Sequence, residues 1–320
     1  MSLFLLMINN LSYLSGQNIS VHDPVMIQED STYYLFCTGN GISVWSSKNL
    51  LEWTHMAPVF EEAPKWAINA LPGFKGHIWA PDISKKDNTY YLFYSASSFG
   101  KNTSCIGLAT NRSLDPESPD FKWIDHGLII QSIPGRDMWN AIDPNLAIDT
   151  VGIPWLAFGS FWEGIKLVRL SDDLKQIAEP QQWYTIAKRE RLFGLEDTDP
   201  GNSAIEAPFI FKKDRFYYLF VSWDFCCRGP KSNYKIVMGR SLDIRGPYID
   251  KTGNQMNLGG GTLFLEGTEE WYGIGHNSVY TFNGTDYLIC HAYDASDKGK
   301  SKLVIKEIRW GDDAWPVIYK

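Results

Sequence analysis

The 320-residue sequence predicts an all-β fold, a five-bladed β-propeller with four antiparallel strands per blade, and three observations carry that expectation. Helix signals are scarce, while short alternating or aromatic runs bounded by Gly, Asn, Asp and Ser fill the chain. One pattern recurs five times: a polar residue and usually a Pro open a strand, a polar turn follows, and a Tyr- and Phe-rich strand comes next. The copies are almost evenly spaced, and a fixed period of this size with several strands per copy marks radial repetition rather than a solenoid of helix pairs.

The copies run HDPVMIQEDSTYYLFCTG from His22, WAPDISKKDNTYYLFYSA from Trp79, IDPNLAIDTVGIPWLAFGS from Ile142, EAPFIFKKDRFYYLFVSW from Glu206 and HNSVYTFNGTDYLICHAY from His276. Pro24 and Pro81 are 57 residues apart, Pro81 and Pro144 63, Pro144 and Pro208 64, and Pro208 and Ser278 70. Further strands follow the hairpin in most copies, among them GISVWSS with LEWTHM, CIGLATN with FKWIDHG, IKLVRLS, and YKIVMGRS. Four strands per copy and five copies close radially and leave no long exposed edge. No Pro/Ser linker or charge run divides the chain, so residues 1–320 read as one domain with residues 1–20 as an N-terminal segment.

Composition narrows the function. With no apolar run of eighteen residues the chain predicts no membrane-spanning helix. The net charge of −7 weighs against a nucleic-acid partner, which needs a basic face. A 14% share of aromatic residues suits stacked strands and also flat apolar ligands such as sugar rings. Cys37, Cys105 and Cys290 sit in apolar strand-like runs and read as buried free thiols, whereas Cys226 and Cys227 are adjacent, and a vicinal disulfide is uncommon. Met1 to Met7 is apolar but short and has no basic n-region, so a signal peptide is not supported and the compartment stays open. Gly259-Gly260-Gly261 lacks a following Lys-Ser/Thr and helix, which excludes a phosphate loop and leaves close backbone passage in the last blade.

The triplets that open the copies are the candidate site: His22-Asp23-Pro24, Trp79-Ala80-Pro81, Ile142-Asp143-Pro144, Glu206-Ala207-Pro208 and His276-Asn277-Ser278. The first strand of a propeller blade lines the central channel, so equivalent positions form a ring about one axis. That ring carries Asp23, Asp143 and Glu206, with His22, His276 and the indole of Trp79. A single Asp before Pro is an ordinary turn starter. Three carboxylates converging on one axis repel one another and push their pKa values apart, as acid/base chemistry requires. Two carboxylates flanking a glycosidic bond are the minimal apparatus for its hydrolysis, one as acid and one as base or nucleophile.

An ordered set of strings resembles the five-bladed propeller glycoside hydrolases of family 43, and within it the endo-acting α-1,5-arabinanase branch. The strings are HDP, WAPD with FYSASSFGKNTSC, NAIDP, PWLAFGSFWEGIKL, EAP, CCRG with KSNYKIVMGRS, GGGT and HAYDA, spanning about His22 to Trp315. The resemblance implies inverting endo-hydrolysis of arabinan, with Asp23 as general base, Glu206 as general acid and Asp143 tuning and holding the acid. It implies that Trp79, Phe99 and Gly100 meet the sugar at the cleavage subsites. Asn140, Ile142, Ser160, Phe161 and Trp162 would shape the cleft, and Arg228 would lie at its rim. His276 would face a calcium ion held largely through water, since calcium takes oxygen ligands. Gly273-Ile274-Gly275-His276 departs from the Gly-Pro-Gly of some relatives, which bears on loop shape. The expected partner is arabinan or its oligosaccharides, acted on by a monomer outside the cytoplasm or in a periplasm. The alternatives are an exo-acting α-L-arabinofuranosidase or β-xylosidase on the same scaffold, or a non-catalytic carbohydrate-binding propeller. The last would be expected to have lost one axial carboxylate, and all three are present.

Overall fold

The computed structural model describes residues 18–318; the N-terminal segment expected over residues 1–20 falls mostly outside them. Five antiparallel sheets follow one another along the chain. Blade one is β1 (Val25–Glu29), β2 (Thr32–Cys37), β4 (Ser43–Ser47) and β5 (Thr54–Met56). The two-residue β3 (Gly39–Asn40) leaves it to pair with blade two, formed by β6 (His77–Lys86), β7 (Thr89–Ser97), β8 (Ser104–Asn111) and β9 (Ile124–Ser132). Blade three is β10 (Asn145–Ile148), β11 (Pro154–Phe158), β12 (Ile165–Arg169) and β13 (Trp183–Ala187). Blade four is β14 (Ile205–Lys213), β15 (Phe216–Trp223), β16 (Lys235–Ser241) and β17 (Thr262–Glu266). Blade five is β18 (Trp271–Phe282), β19 (Thr285–Asp294), β20 (Lys300–Trp310) and the two-residue β21 (Pro316–Val317). Among the described residues one short α-helix, α1 (Lys65–Ala70), interrupts the strands.

The aromatic runs are explained by how blades stack. A strand shows alternate side chains to its two faces, and each second strand lies between two neighbouring blades. In β2, Tyr34 and Phe36 enter the core shared with blade two, while Tyr33, Leu35 and Cys37 enter the core shared with blade five. In β15, Tyr217, Leu219 and Val221 face blade three and Tyr218 and Phe220 face blade five. Both faces are therefore apolar, and the sequence reads as a continuous hydrophobic run rather than an alternation. The ring closes where Met26, Leu35 and Leu50 of blade one meet Ile289, Leu303 and Ile305 of blade five. The amide of Leu303 also donates to the carbonyl of Ile19 at 3.3 Å, which holds the segment before blade one onto the last blade.

Cys37, Cys105 and Cys290 are buried free thiols, as expected. The glycine triplet belongs to blade four, not to the last blade: it immediately precedes β17. Close passage is the right reason for it, because a Cβ on Gly261 would lie 2.3 Å from Val237 Cγ1.

Candidate active site

Each blade opens on a residue in the left-handed backbone region: Asp23 (φ 54°), Ala80 (41°), Asp143 (58°), Ala207 (54°) and His276 (49°). Non-glycine residues are uncommon there, and five at one position of a repeat mark a built feature. In blades two, four and five the strand bulges at this point, between Trp79 and Asp82, Glu206 and Phe209, and Gly275 and Ser278. A bulge re-aims the side chain it carries. The bulges also correct the alignment of the fifth copy. His276 is equivalent to Asp23 and Asp143, so the triplet is Gly275-His276-Asn277, and Glu206 stands one residue ahead of the position the two aspartates share.

A bulged amide is lost to the ladder and must find another partner when buried. In every blade the amide of the opening left-handed residue is met by a side chain of the preceding one. Ala80 N–H donates to Thr38 Oγ1 at 2.9 Å, Asp143 N–H to Ser95 Oγ at 3.0 Å and His276 N–H to Ser222 Oγ at 2.8 Å. Ala207 N–H donates to Asp143 Oδ2 at 3.1 Å, and Asp23 N–H to His291 Nδ1 at 3.1 Å. The five contacts run once around the axis and fix the opening residues relative to one another.

Asp23 is surrounded by donors. His22 Nδ1 lies 2.9 Å and His276 Nδ1 3.0 Å from its Oδ1, and Thr38 donates to Oδ2 at 2.5 Å. Burial acts to raise its pKa, but the His276 and His22 contacts outweigh burial and hold the carboxyl well below the usual range. Asp143 goes the other way. Burial, with the charges of Glu206 and Asp23 against the opposing His276, pushes it up to about 8. Burial acts to discharge His276 too, yet the Asp23 carboxylate raises it to about 9. At neutral pH the centre therefore holds a charged Asp23, a protonated Asp143 and an imidazolium.

Glu206 receives Ser160 Oγ–H on Oε2 at 2.8 Å and Tyr234 Oη–H on Oε1 at 2.8 Å. Burial and the nearby Glu206 charge raise the Tyr234 pKa well above its usual value, so it stays a donor. Tyr234 can lie there because Gly275 has no side chain; a Cβ would sit 2.2 Å from its ring.

The remaining predicted residues separate into surface and support. Phe99 is 82% exposed at the turn after β7, and Gly100 beside it adopts φ 73° with open space around it. Trp79 is half-buried in β6, paired with Ser95. Phe161 is half-buried, its ring 6.1 Å from that of Phe225, and the exposed Arg228 guanidinium lies 3.8 Å over the Phe225 ring. Asn140, Ile142 and Trp162 are buried, and Trp162 donates its indole N–H to the carbonyl of Asp197. Ser160 acts on Glu206 directly rather than only lining the cleft. Cys226 and Cys227 are joined as a disulfide. Sequence reasoning missed Thr38, Tyr234, His291 and Tyr293. Thr38 and His291, with Ser95 and Ser222, recur at the ends of second strands, and that repeat was a signal available in the sequence.

The expected calcium site can be tested against these donors. His22, Asp23 and His291 offer three ligand atoms within 4.8 Å of one another, but the set is two nitrogens to one carboxylate and each is engaged in the hydrogen bonds above. Calcium takes six to eight oxygens, so these side chains fit no directly ligated calcium. An ion at His276 would have to be held through water at Nε2, because Nδ1 is taken by Asp23.

The comparisons with known proteins agree with this geometry. Over 303 residues the chain is 50% identical to an extracellular exo-α-(1→5)-L-arabinofuranosidase of Cellvibrio japonicus, covering 95% of this chain and 87% of that one. It is 41% identical to an extracellular endo-α-(1→5)-L-arabinanase of Bacillus subtilis over 309 residues, 95% of this chain and 90% of that one. The fold superposes with a TM-score of 0.93 on a Cellvibrio cellulosa α-L-arabinanase solved with arabinohexaose, at 50% identity over 94% of this chain and 96% of that one. The family model described as glycosyl hydrolases family 43 matches residues 17–316, and with five blades closed around three axial carboxylates the chain belongs to that family of glycoside hydrolases.

Proposed function

We propose that the chain hydrolyses α-1,5-linked L-arabinan with inversion, using Asp23 as the base that activates water and Glu206 as the acid that protonates the leaving oxygen. The observation that carries the reading is the opposite treatment of the carboxyls about one axis. His276 and His22 keep Asp23 charged, while burial and like charge favour a proton on Asp143 beside Glu206. Ser160 and Tyr234 fix the Glu206 carboxyl, and Asp143 anchors the amide that follows it. Asp23 opens blade one and Glu206 blade four, and their placement across the ring supports the wide carboxyl spacing of about 6.5–9.5 Å that admits a water.

On cleavage mode, the relatives favour release from a chain end: the one at 50% identity is named an exo-enzyme and the one at 41% an endo-enzyme. Internal cleavage, implied by the sequence strings, is the second reading. A time course of product lengths on linear arabinan separates them. Arabinose or one short product from the first minutes means exo, and a falling ladder of oligosaccharides means endo. Absence of hydrolysis on linear arabinan, with activity on xylan, galactan or aryl glycosides instead, refutes the substrate.

The expected calcium ion is retained in this proposal as a water-held ion at His276 Nε2. When bound it supplies positive charge against the carboxylates and nothing else. Its place competes with the second proton of His276, so it should bind more tightly as pH rises toward about 9. Both relatives named above are called extracellular, which supports the same compartment for this chain.

A further inference from the structure

The loop from Asp224 to Lys235 joins β15 to β16, and both of its end residues are pinned. Asp224 pairs with Arg189 at 2.7 Å and with Lys235 at 2.8 Å. Inside it, Phe225 N–H donates to Asn233 Oδ1, Asn233 N–H to the Phe225 carbonyl and Arg228 N–H to Ser232 Oγ. The loop carries the disulfide near its start and Tyr234 at its end, and Tyr234 is the donor to Glu206.

The disulfide end reaches the other carboxylate. Cys227 is exposed, with left-handed backbone (φ 63°), and its N–H donates to Tyr293 Oη at 2.7 Å. Tyr293 Oη also lies 2.8 Å from His22 Nε2 and 3.3 Å from His291 Nε2. Burial holds His291 neutral, its pKa well below 6.5.

Cys227 Sγ itself lies 3.9 Å from His22 Nε2, a longer contact than that of Tyr293. The shorter hydrogen bonds assign the protons along the chain. His291 Nδ1 accepts the Asp23 amide, so the His291 proton sits on Nε2 and is donated to Tyr293 Oη. Tyr293 Oη accepts from His291 and from Cys227 N–H, which leaves its own proton for His22 Nε2. His22 Nε2 is therefore an acceptor. The His22 proton is on Nδ1 and points at Asp23 Oδ1. One partner fixing the tautomer of the other ring nitrogen is how histidines are oriented at reacting sites.

We propose that the Cys226–Cys227 disulfide is a positioning element for the hydrolysis: it holds the Cys227 amide on Tyr293, and through Tyr293 it locks His22 in the tautomer that donates to Asp23. This rests on the reading of Asp23 as base. Among the described residues, which include all five cysteines, it is the only disulfide, because the other three are free and buried. A reductant that acts on the folded enzyme therefore acts here. With a phosphine, the disulfide and one water become two thiols and a phosphine oxide. The freed loop no longer fixes the Cys227 amide, and both carboxylates lose a rigid neighbour.

The test is steady-state kinetics on linear arabinan, before and after phosphine reduction, with thiols counted and thermal melts run on each sample. Reduction should lower kcat by about 5- to 50-fold with KM changed less than about threefold, and reoxidation should restore it. The double variant Cys226→Ser/Cys227→Ser should match the reduced enzyme and ignore phosphine. Tyr293→Phe should lower kcat similarly, and reduction should add little to it, since groups acting as one unit are non-additive. Unchanged kcat after verified loss of the disulfide overturns the proposal, as does a loss confined to KM or a Tyr293→Phe effect that simply adds to reduction. Asp23→Asn is run beside these. If it keeps near wild-type turnover, the base assignment falls; if it is inactive while reduction changes nothing, only the disulfide proposal falls.

Discussion

His276 should serve the reaction through its charge, and His276→Gln isolates that charge because the amide can still donate to Asp23. The imidazole is 15% exposed and 3.0 Å from Asp23 Oδ1. Burial works to remove its proton, yet Asp23 lifts the pKa from 6.5 to about 9. That rise corresponds to roughly 3 kcal/mol of preference for the charged form. The interaction is mutual, and His276 is the largest influence holding Asp23 down against burial. Without it burial dominates, the Asp23 pKa climbs, and the base is protonated over part of the working range. The acidic limb of kcat/KM against pH should move up by about two pH units, so the loss should approach about 100-fold at pH values below the original limb, shrink as pH rises through the shifted one and be smallest at pH 7. Initial rates of reducing-end release from linear arabinan between pH 3 and 10 measure this, with thermal melts to establish folding. Superimposable pH profiles, or one uniform loss at every pH, would refute the electrostatic argument and leave His276 a residue of shape.

The remaining expectations concern the other carboxyls and their partners. Asp23→Ala, Asp143→Ala and Glu206→Ala should each lower kcat by at least about 10²–10⁴-fold in folded protein, and near wild-type turnover in any one removes that residue from the mechanism. Tyr234→Phe should cost about tenfold in kcat with little change in KM, the loss of one hydrogen bond that positions the Glu206 carboxyl; a change in KM alone would contradict it. Folded Asp143 binds its proton up to about 8 against 3.8 when unfolded, and folded His276 up to about 9 against 6.5, so both contributions to stability decline as pH rises through those windows. The melting temperature at low salt should fall between pH 6 and 9, and Asp143→Asn should flatten the lower part of that fall. Exhaustive chelation should lower the melting temperature and calcium should restore it, most clearly toward pH 9; no change at any pH removes the ion. Proton NMR in the first minutes should show β-arabinofuranose from the α-linked substrate, and initial α product would make Asp23 a nucleophile.

The fold was legible because its cause is periodic. Tyr34 and Tyr33 face different blades, so TYYLFC must be apolar on both sides, and the same demand recurs in TYYLFYSA and FYYLFVSW. Asp23, Asp143 and Glu206 were legible because the repeat sets them at blade starts. The fifth triplet was misaligned by one residue since His276-Asn277-Ser278 contains no proline, and only the backbone shows that His276 takes the bulged position. Tyr234 and Tyr293 were not legible. Each reaches a carboxylate or its histidine from another element, Tyr293 across 271 residues to His22, and no local pattern encodes such a contact.

The shared backbone geometry also explains why this axis supports an acid and a base at once. Five left-handed residues around one axis would leave five unpaired amides, and each is met by a side chain from the preceding blade. Three of those acceptors are hydroxyls, which add no charge. The other two, Asp143 and His291, are titratable, and they stand behind the amides of Ala207 and Asp23. The amide beside the acid is thus anchored by a carboxyl that favours a proton, and the amide of the base by an imidazole that stays neutral. Replacing Asp143 by Asn, which is isosteric, would still anchor Ala207 through its amide oxygen but would remove the titratable carboxyl. An Asp143→Asn variant should therefore fold and bind arabinan oligosaccharides with little loss, while its turnover falls as far as that of Asp143→Ala. Turnover kept near wild type by asparagine would mean that Asp143 matters only as an anchor.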